Sequence, residues 1–236
     1  MSTYAWILLT SLSLPFALSF HPRIRFDRHW KAFGLSCLVI SSMFILWDAQ
    51  FTNAQVWGFN PLHHSRWLIL GMPIEEILFF LVIPYCCTFT YEVLQVVGIH
   101  FQKPMKTVHL SLGVLAAILS AVFIGSVYTS TVCLVVAVTC MATWQAQGWL
   151  SRAYLSFAVL LIPFLVVNGL LTGAFITEEV VWYSDQAITG WRIGTIPIED
   201  VLYCFAMFFA QIALYERIKS ASKEKLWKEA YFQLSK

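Results

Sequence analysis

Seven apolar stretches, each close to the length that crosses a lipid bilayer, dominate this chain of 236 residues. A membrane-spanning helix needs roughly 20 apolar residues, and a backbone surrounded by lipid must satisfy its own hydrogen bonds, which favours a helix in every stretch. The composition agrees, because only 12% of the residues are charged, against roughly 25% in soluble domains. We therefore predict an all-α integral membrane protein with seven transmembrane helices. They cover residues 3–20, 32–48, 72–96, 108–127, 130–147, 153–175 and 197–217.

The first stretch, TYAWILLTSLSLPFALSF, has an alternative interpretation as a cleaved signal peptide. No Lys or Arg precedes it, and it lacks a clear small-residue cleavage site. We expect it to form a transmembrane helix.

The basic residues predict the orientation in the cell membrane. Of the 15 Lys and Arg residues, 13 lie in loops on one face, whereas Arg66 and Arg192 lie on the other. The positive-inside rule makes the crowded face cytoplasmic, which places the amino terminus outside and the carboxyl terminus inside. The basic face contains Arg23, Arg25, Arg28, Lys31, Lys103, Lys106, Arg152, Arg217, Lys219, Lys223, Lys225, Lys228 and Lys236.

A net charge of +2 gives no reason to expect a nucleic-acid partner. The basic, aromatic tail KEKLWKEAYFQLSK is predicted to lie against anionic lipid headgroups of the bilayer.

One acidic motif occurs twice. PIEEILFF at residues 73–80 recurs as PIEDVLYC at residues 197–204, at an offset of 124 that also maps Tyr91-Glu92 onto Tyr215-Glu216. Because this offset contains four predicted crossings, both motif helices enter from the same face, which is typical of a parallel repeat about an axis along the membrane normal. The predicted units are helices 1–3 (residues 1–107) and helices 5–7 (130–219), with helix 4 (108–129) as connector and 220–236 as a cytoplasmic tail.

The motif acids Glu75, Glu76, Glu199 and Asp200 each follow a Pro that suits the start of a helix. Capping would explain one acid per helix, because an acid near a helix N-terminus accepts backbone N–H bonds. Adjacent helical residues point about 100° apart, so one acid of each pair must face a neighbouring helix. Ionisable groups at membrane depth indicate function. Glu92 and Glu216, roughly 25 Å along the helices, are better explained as interfacial anchors or salt-bridge partners.

Cofactor and metal signals are weak. The sequence contains no GxGxxG and no GxxxxGK[ST] motif, so no nucleotide cofactor is predicted. His63 and His64 precede the first motif, but adjacent histidines match no metal-ligand spacing, and six cysteines lie inside apolar stretches without a CxxC pair. No metal is predicted.

What remains is a group of carboxyls beside aromatic residues. Aromatic faces stabilise cations, and a carboxyl in an apolar site can act as an acid near neutral pH. This combination suits the protonation of a carbon–carbon double bond, although aromatic residues also line the interfaces of most membrane proteins.

GMPIEEILFFLVIPYCCTFTYE and PIEDVLYCFAMFFAQIALYE, together with WYSDQAITGWRIG and LWDAQFTNAQVWGF, resemble the two halves of the heterodimeric or fused lycopene cyclases of some bacteria, archaea and fungi. In that family each half is a three-helix membrane domain with a Pro-x-Glu-Glu or Pro-x-Glu-Asp motif. Both motifs in one chain imply the fused form, without an obligatory partner subunit.

The resemblance implies a lycopene β-cyclase that turns the acyclic ends of lycopene, or a related carotenoid, into β-ionone rings. An acid protonates C2, the C5–C6 double bond attacks the cation, and a base removes a ring proton, so mass is unchanged and no electrons are transferred. The implied acid and base are Glu75, Glu76, Glu199 and Asp200 jointly, in one composite site between helices 3 and 7, with two separate sites as the alternative. Second-line residues are Asp48 and Arg192 for tuning, and Trp57, Phe79, Trp182, Tyr183 and Tyr203 for the polyene pocket.

Three rival functions stay open at this point. A carotenoid hydratase would protonate the same double bond and add water. A proton-coupled transporter would also carry acids at membrane depth, although nearer the midplane. A purely structural membrane protein would tolerate Gln at all four motif acids.

Overall fold

The computed structural model describes residues 2–101, 105–145 and 148–234, with side chains up to residue 221. Within these residues the chain forms seven α-helices and six very short strands. The helices are α1 (Thr3–Leu18), α2 (Trp30–Asn53), α3 (Ile74–Val97), α4 (Lys106–Val122), α5 (Val127–Thr143), α6 (Leu150–Leu171) and α7 (Ile198–Leu234), and a 3-10 turn (Phe26–His29) precedes α2. The predicted helices and the observed ones therefore agree in number and order.

Within the described part of the chain, four helical segments are long and apolar enough to cross a membrane: Phe26–Asn53, Ile74–Val97, Leu150–Leu171 and Ile198–Ala221. The helices α1, α4 and α5 are apolar but only 16 or 17 residues long, which is about 24–26 Å at 1.5 Å per residue against a hydrocarbon core of about 30 Å. The chain is thus an all-α membrane protein, and the count of seven spans stays a prediction.

Helix α7 is longer than predicted, because it continues from the membrane segment through the basic tail to Leu234. The predicted lipid contacts of the tail concern side chains after residue 221, and these lie outside the described residues. Lys103, one of the basic residues that predict the orientation, also lies outside the described residues.

The loops before α3 and α7 form strands that the sequence did not predict. In each loop, two antiparallel strands of two residues each form a hairpin that leads directly into the helix. The pairs are β2 (Leu68–Ile69) with β3 (Met72–Pro73), and β5 (Arg192–Ile193) with β6 (Ile196–Pro197). The backbone N–H of the first helical residue, Ile74 or Ile198, donates to a carbonyl at the start of its own hairpin. The hairpins therefore fix where each motif helix begins.

The two loops also pair with each other. Strand β1 (Trp57–Phe59) runs antiparallel to β4 (Val181–Tyr183), and Gly58 lies opposite Trp182. Gly58 and Trp182 are 124 residues apart in the sequence, so this strand pair is centred on equivalent positions of the two halves. The pair forms a cover over the ends of the central helices.

Helices of each half pack against the motif helix of the other half. Helix α1 packs on α3 and α5 packs on α7, whereas α2 packs mainly on α7 and α6 mainly on α3, the motif helix of the other half. Helix α4 lies outside, against α5. Buried aromatic side chains fill the centre of the helix bundle, including Phe205 and Phe209, whose rings stack 4.2 Å apart. The motif helices are consequently surrounded by helices of both halves.

The far ends of α3 and α7 are joined by reciprocal hydrogen bonds. Tyr91 donates to Glu216 at 2.7 Å, and Tyr215 donates to Glu92 at 2.9 Å. Glu92 also forms an ion pair with Lys219, as expected for a salt-bridge partner at this end.

Gly58→Ala tests the strand pair. A Cβ at Gly58 would overlap the indole ring of Trp182, so we expect a stability loss of roughly 1–3 kcal/mol, typical of overpacking, seen as a lower denaturation midpoint in detergent. Gly34→Ala is the matched control, because a Cβ there meets nothing within 4 Å. Adding Trp182→Ala to Gly58→Ala should restore part of the loss, and equal midpoints for Gly58→Ala and the control would contradict the pairing.

Candidate active site

The four motif acids lie in the first turns of α3 and α7, as predicted, and they point in two directions. Glu75 turns toward its own hairpin loop, where the backbone N–H of Ser65 donates to it at 2.8 Å and the Ser65 hydroxyl at 2.9 Å. Glu199 accepts the same two bonds from Thr189, at 2.7 and 2.8 Å. These two acids hold the loops that precede their helices.

Glu75 and Glu199 also bind the helix next to their own. The hydroxyls of Ser2 and Thr129 donate to them, each at 2.6 Å. Each acid thus ties three segments together: its motif helix, its loop, and the start of α1 or α5.

Glu76 and Asp200 point the other way, into a cavity between the two motif helices. The Tyr4 hydroxyl donates to Glu76 at 2.5 Å, and the Tyr128 hydroxyl donates to Asp200 at 2.8 Å. Tyr4 and Tyr128 are themselves 124 residues apart. One carboxyl from each half therefore reaches the same cavity with an equivalent tyrosine partner.

The surroundings of these two carboxyls then differ. Asp200 accepts two further hydrogen bonds, from the Asn168 amide at 2.7 Å and from the Tyr183 hydroxyl at 2.9 Å. The positions equivalent to Asn168 and Tyr183 in the first half are Phe44 and Phe59, which carry no donor. Asp200 thus has three side-chain donors, whereas among the described residues Glu76 has one.

Tyr183 lies in β4, outside the membrane-spanning helices. Burial, followed by the charge of Asp200, raises the pKa of Tyr183 well above its ordinary value. Its hydroxyl therefore keeps the proton that it donates to Asp200.

A third carboxyl, Asp48 of α2, lies in the same cavity and is buried. Its Oδ2 atom and the hydroxyl of Tyr203 are both buried and make no hydrogen bond within the described part of the chain. The position equivalent to Asp48 in the second half is Thr172, so this carboxyl makes the cavity still less symmetric.

The cavity has walls from both halves and a volume of about 80 Å³. Most of its lining is aromatic or aliphatic, and several pairs of lining residues occupy equivalent positions, such as Phe79 with Tyr203. The lining residues are Tyr4, Asp48, Trp57, Phe59, Glu76, Phe79, Phe80, Ile83, Tyr128, Phe164, Asn168, Leu171, Val181, Tyr183, Asp200, Tyr203, Cys204 and Met207.

Two of the second-line residues lie away from this cavity. Trp182 covers Gly58 and lines a separate pocket in the loops. Arg192 is exposed and donates to the Thr195 carbonyl at 2.7 Å within its own hairpin. The structure brings Asp48, Trp57, Phe79, Tyr183 and Tyr203 together around Glu76 and Asp200.

Tyr4, Tyr128 and Asn168 were missing from the sequence-predicted site. The spacing of 124 residues would have indicated both tyrosines, because it relates them as it relates the motif acids. The position equivalent to Asn168 is the apolar Phe44, so the one signal for Asn168 is a polar side chain inside an apolar helix.

The two adjacent histidines contact loop and helix-start atoms. His63 lies 3.2 Å from the Thr3 hydroxyl, and His64 lies 2.5 Å from the Ser65 carbonyl. Within the described residues no three His, Cys, Asp or Glu side chains are grouped as metal ligands, and the absence of a metal stays a prediction.

A family model described as "Lycopene cyclase" matches residues 1–94 and 125–218 of the chain. The segment between the two matched parts contains α4. Comparisons with curated proteins and with solved structures gave no match.

Glu75→Ala and Glu199→Ala test the structural part of the site. Each change leaves a backbone N–H of the loop without its acceptor, so we expect a stability loss of roughly 1–3 kcal/mol, measured as the denaturation midpoint in detergent. Asp185→Ala, at an exposed position of the same loop region, is the control. Midpoints of the two Glu variants equal to that of Asp185→Ala would show that these acids do not hold the loops.

Proposed function

Because the chain belongs to the lycopene cyclase family, we propose that it converts the acyclic ends of lycopene into β-ionone rings. Membership makes it an enzyme of carotenoid cyclisation with a carotenoid substrate. The β ring, the acid–base mechanism and the class of intramolecular lyase are our proposal.

The observation that carries the proposal is the unequal pair Glu76 and Asp200 in one cavity. Hydrogen bonds donated to a carboxylate stabilise its ionised form, and Asp200 has three such donors. Glu76 has one donor and faces two other carboxyls, Asp48 and Asp200, across the cavity. We therefore assign Glu76 as the general acid and Asp200 as the general base.

The reaction then follows in three steps. Glu76 gives its proton to C2 of the terminal double bond, which leaves a cation at C1. The π electrons of the C5–C6 double bond form the C1–C6 bond, and the positive charge moves to C5. Asp200 removes the proton on C6, which forms the C5–C6 double bond of the β ring, whereas loss of a C4 proton would give an ε ring. Atoms and electrons balance without a redox cofactor.

The remaining lining supports the cation. Aromatic faces attract positive charge, and Trp57, Phe79 and Tyr203 surround the two acids. Asp48 adds a carboxyl with one oxygen free to face positive charge. A cavity with apolar walls also disfavours water, which would capture the cation and give a hydrated product instead of a ring.

Glu75 and Glu199 act in this proposal as positioning residues. Their bonds to Ser65 and Thr189 hold the loops, and so keep the neighbouring Glu76 and Asp200 aimed at the substrate. Of the four motif acids, Glu76 and Asp200 therefore transfer protons, whereas Glu75 and Glu199 hold them in position.

The membrane arrangement is also proposed. The equivalent hydrogen bonds at 124-residue spacing support two parallel units, helices α1–α3 and α5–α7, joined by α4, with seven crossings of the cell membrane. The amino terminus would lie outside and the carboxyl terminus in the cytoplasm. Because both motifs contribute to one cavity, the chain would need no partner subunit and, since no electrons are transferred, no redox cofactor.

Pigment analysis of lycopene-accumulating bacteria tests the assignment of roles. We expect wild-type chain to give β rings at unchanged mass, and Glu76→Gln and Asp200→Asn to lower ring formation by about 10²–10⁴-fold, the usual contribution of a general acid or base. Glu75→Gln, which keeps a hydrogen-bond acceptor for Ser65, should retain more activity than Glu76→Gln at equal protein level.

Products other than β rings would indicate a different reaction. A gain of water would indicate a hydratase, and ε rings would show that the base takes the C4 proton. Equal losses in Glu75→Gln and Glu76→Gln would contradict the division between positioning and proton transfer.

Turnover in D₂O tests the source of the added proton. If Glu76 regains its proton from solvent between turnovers, membranes supplied with lycopene in D₂O should give rings that each carry a single deuterium, read as a mass increase of the product. Rings formed in D₂O without deuterium would contradict a solvent-exchanging acid.

A further inference from the structure

A second cavity adjoins the acid-containing one on the side of the molecule. It lies between α1, α3 and α6, has a volume of about 470 Å³, and is lined mainly by apolar side chains. We call it the lateral groove. It shares five lining residues with the acid-containing cavity: Phe79, Ile83, Phe164, Asn168 and Cys204. The two cavities therefore adjoin each other.

The lateral groove is elongated along α3. On α3 its lining extends from Phe79 to Thr90, which corresponds to about 16 Å at 1.5 Å per residue. Its rim is open to the outer surface of the helices, since Val166 on α6 is 54% exposed and Thr10 on α1 is also exposed. The groove is therefore an elongated channel with a sideways opening at membrane depth.

The few polar side chains of the groove make their hydrogen bonds within the protein. Thr10 and Ser11 donate to carbonyls of their own helix at 2.9 and 2.8 Å, and Thr90 does the same at 2.9 Å. Asn168, at the inner end, donates to Asp200. These polar side chains already have hydrogen-bond partners in the protein, which favours an apolar ligand in the groove.

In the other half, α2 and α7 pack against each other along the equivalent seam. There, Gln211 occupies the position equivalent to Cys87, and Ser36 the position equivalent to Leu160. The Gln211 amide donates to the Ser36 hydroxyl at 2.9 Å. Phe44, at the position of Asn168, packs edge-on against Tyr203 with ring centroids 5.1 Å apart. The two halves are therefore asymmetric along these seams, and the lateral groove is the one that leads to the acids.

We propose that the lateral groove binds the polyene chain of the substrate while one end group lies between Glu76 and Asp200. This rests on the proposed cyclase function for the end group, but the groove itself selects for a linear, apolar polyene that enters sideways from the bilayer. In this arrangement the acid pair serves one end group at a time, so the carotenoid must leave and re-enter in reverse orientation for a second ring.

Filling the groove tests the proposal. Thr10→Trp and Val167→Trp place large side chains into it, whereas Leu134→Trp and Met43→Trp make the same changes at the equivalent positions of the other half, where the native side chains are 52% and 63% exposed. All four are made in a Glu76→Gln background, so that bound lycopene is not consumed, and lycopene retained per purified protein is read by absorbance.

We expect the two groove variants to lose at least about tenfold in affinity for lycopene, equivalent to about 1.4 kcal/mol, and the two controls to match Glu76→Gln alone. Thr10→Leu and Val167→Phe serve as milder versions, and only variants that elute as monodisperse protein are compared. In the Glu76-containing chain, ring formation should fall in the same order.

The outcomes separate the groove from the chemistry. Groove variants that retain lycopene as well as the controls, or that lose only co-purified phospholipid acyl chains, would overturn the proposal. If wild-type chain forms no rings but lycopene retention still falls only in the groove variants, the cyclase function fails and the polyene site stands.

Discussion

The hydrogen bonds from Tyr4 to Glu76 and from Tyr128 to Asp200 are the interactions on which the rest of the site depends. Each one holds a buried carboxyl that its helix alone could not stabilise, because an ionisable group at membrane depth is costly unless it has a partner. Each also ties a motif helix to the neighbouring helix, α1 or α5. The adjacent Glu75 and Glu199 accept hydrogen bonds from the preceding loops. In our proposal, the two neighbouring acids of each helix therefore serve structure and chemistry separately.

Near-equivalent halves would give a cavity with two equal carboxyls, and equal carboxyls are a poor acid–base pair. Two sequence differences remove the equality. Asn168 and Tyr183 donate to Asp200, whereas their equivalents Phe44 and Phe59 have nothing to donate to Glu76. Asn168 also lines the lateral groove, whereas Phe44 packs against Tyr203. In our proposal, this pair of positions contributes both to the division of proton roles and to the path of the substrate.

Much of this arrangement could be predicted from the sequence, because apolar length predicts helices and the duplicated motif places acids in their first turns. The sequence could not predict which acid of each pair faces the cavity. Adjacent helical residues point about 100° apart, and the preceding hairpin, which was not predicted, fixes where the helix starts and therefore which acid faces the cavity. Trp182 was expected in the pocket with Tyr183. Alternate residues of a strand face opposite sides, so Val181 and Tyr183 face the cavity while Trp182 lies on Gly58. The sequence carried no clear signal for a three-residue strand.

In the proposed site, a donor-poor acid, Glu76, and a donor-rich base, Asp200, share one cavity. Infrared difference spectra between the purified wild-type chain and each variant measure it directly, through the carbonyl stretching band of a protonated carboxylic acid. The account predicts that Glu76→Gln removes such a band and that Asp200→Asn leaves it in place. A band lost in Asp200→Asn and kept in Glu76→Gln would contradict the assignment of acid and base.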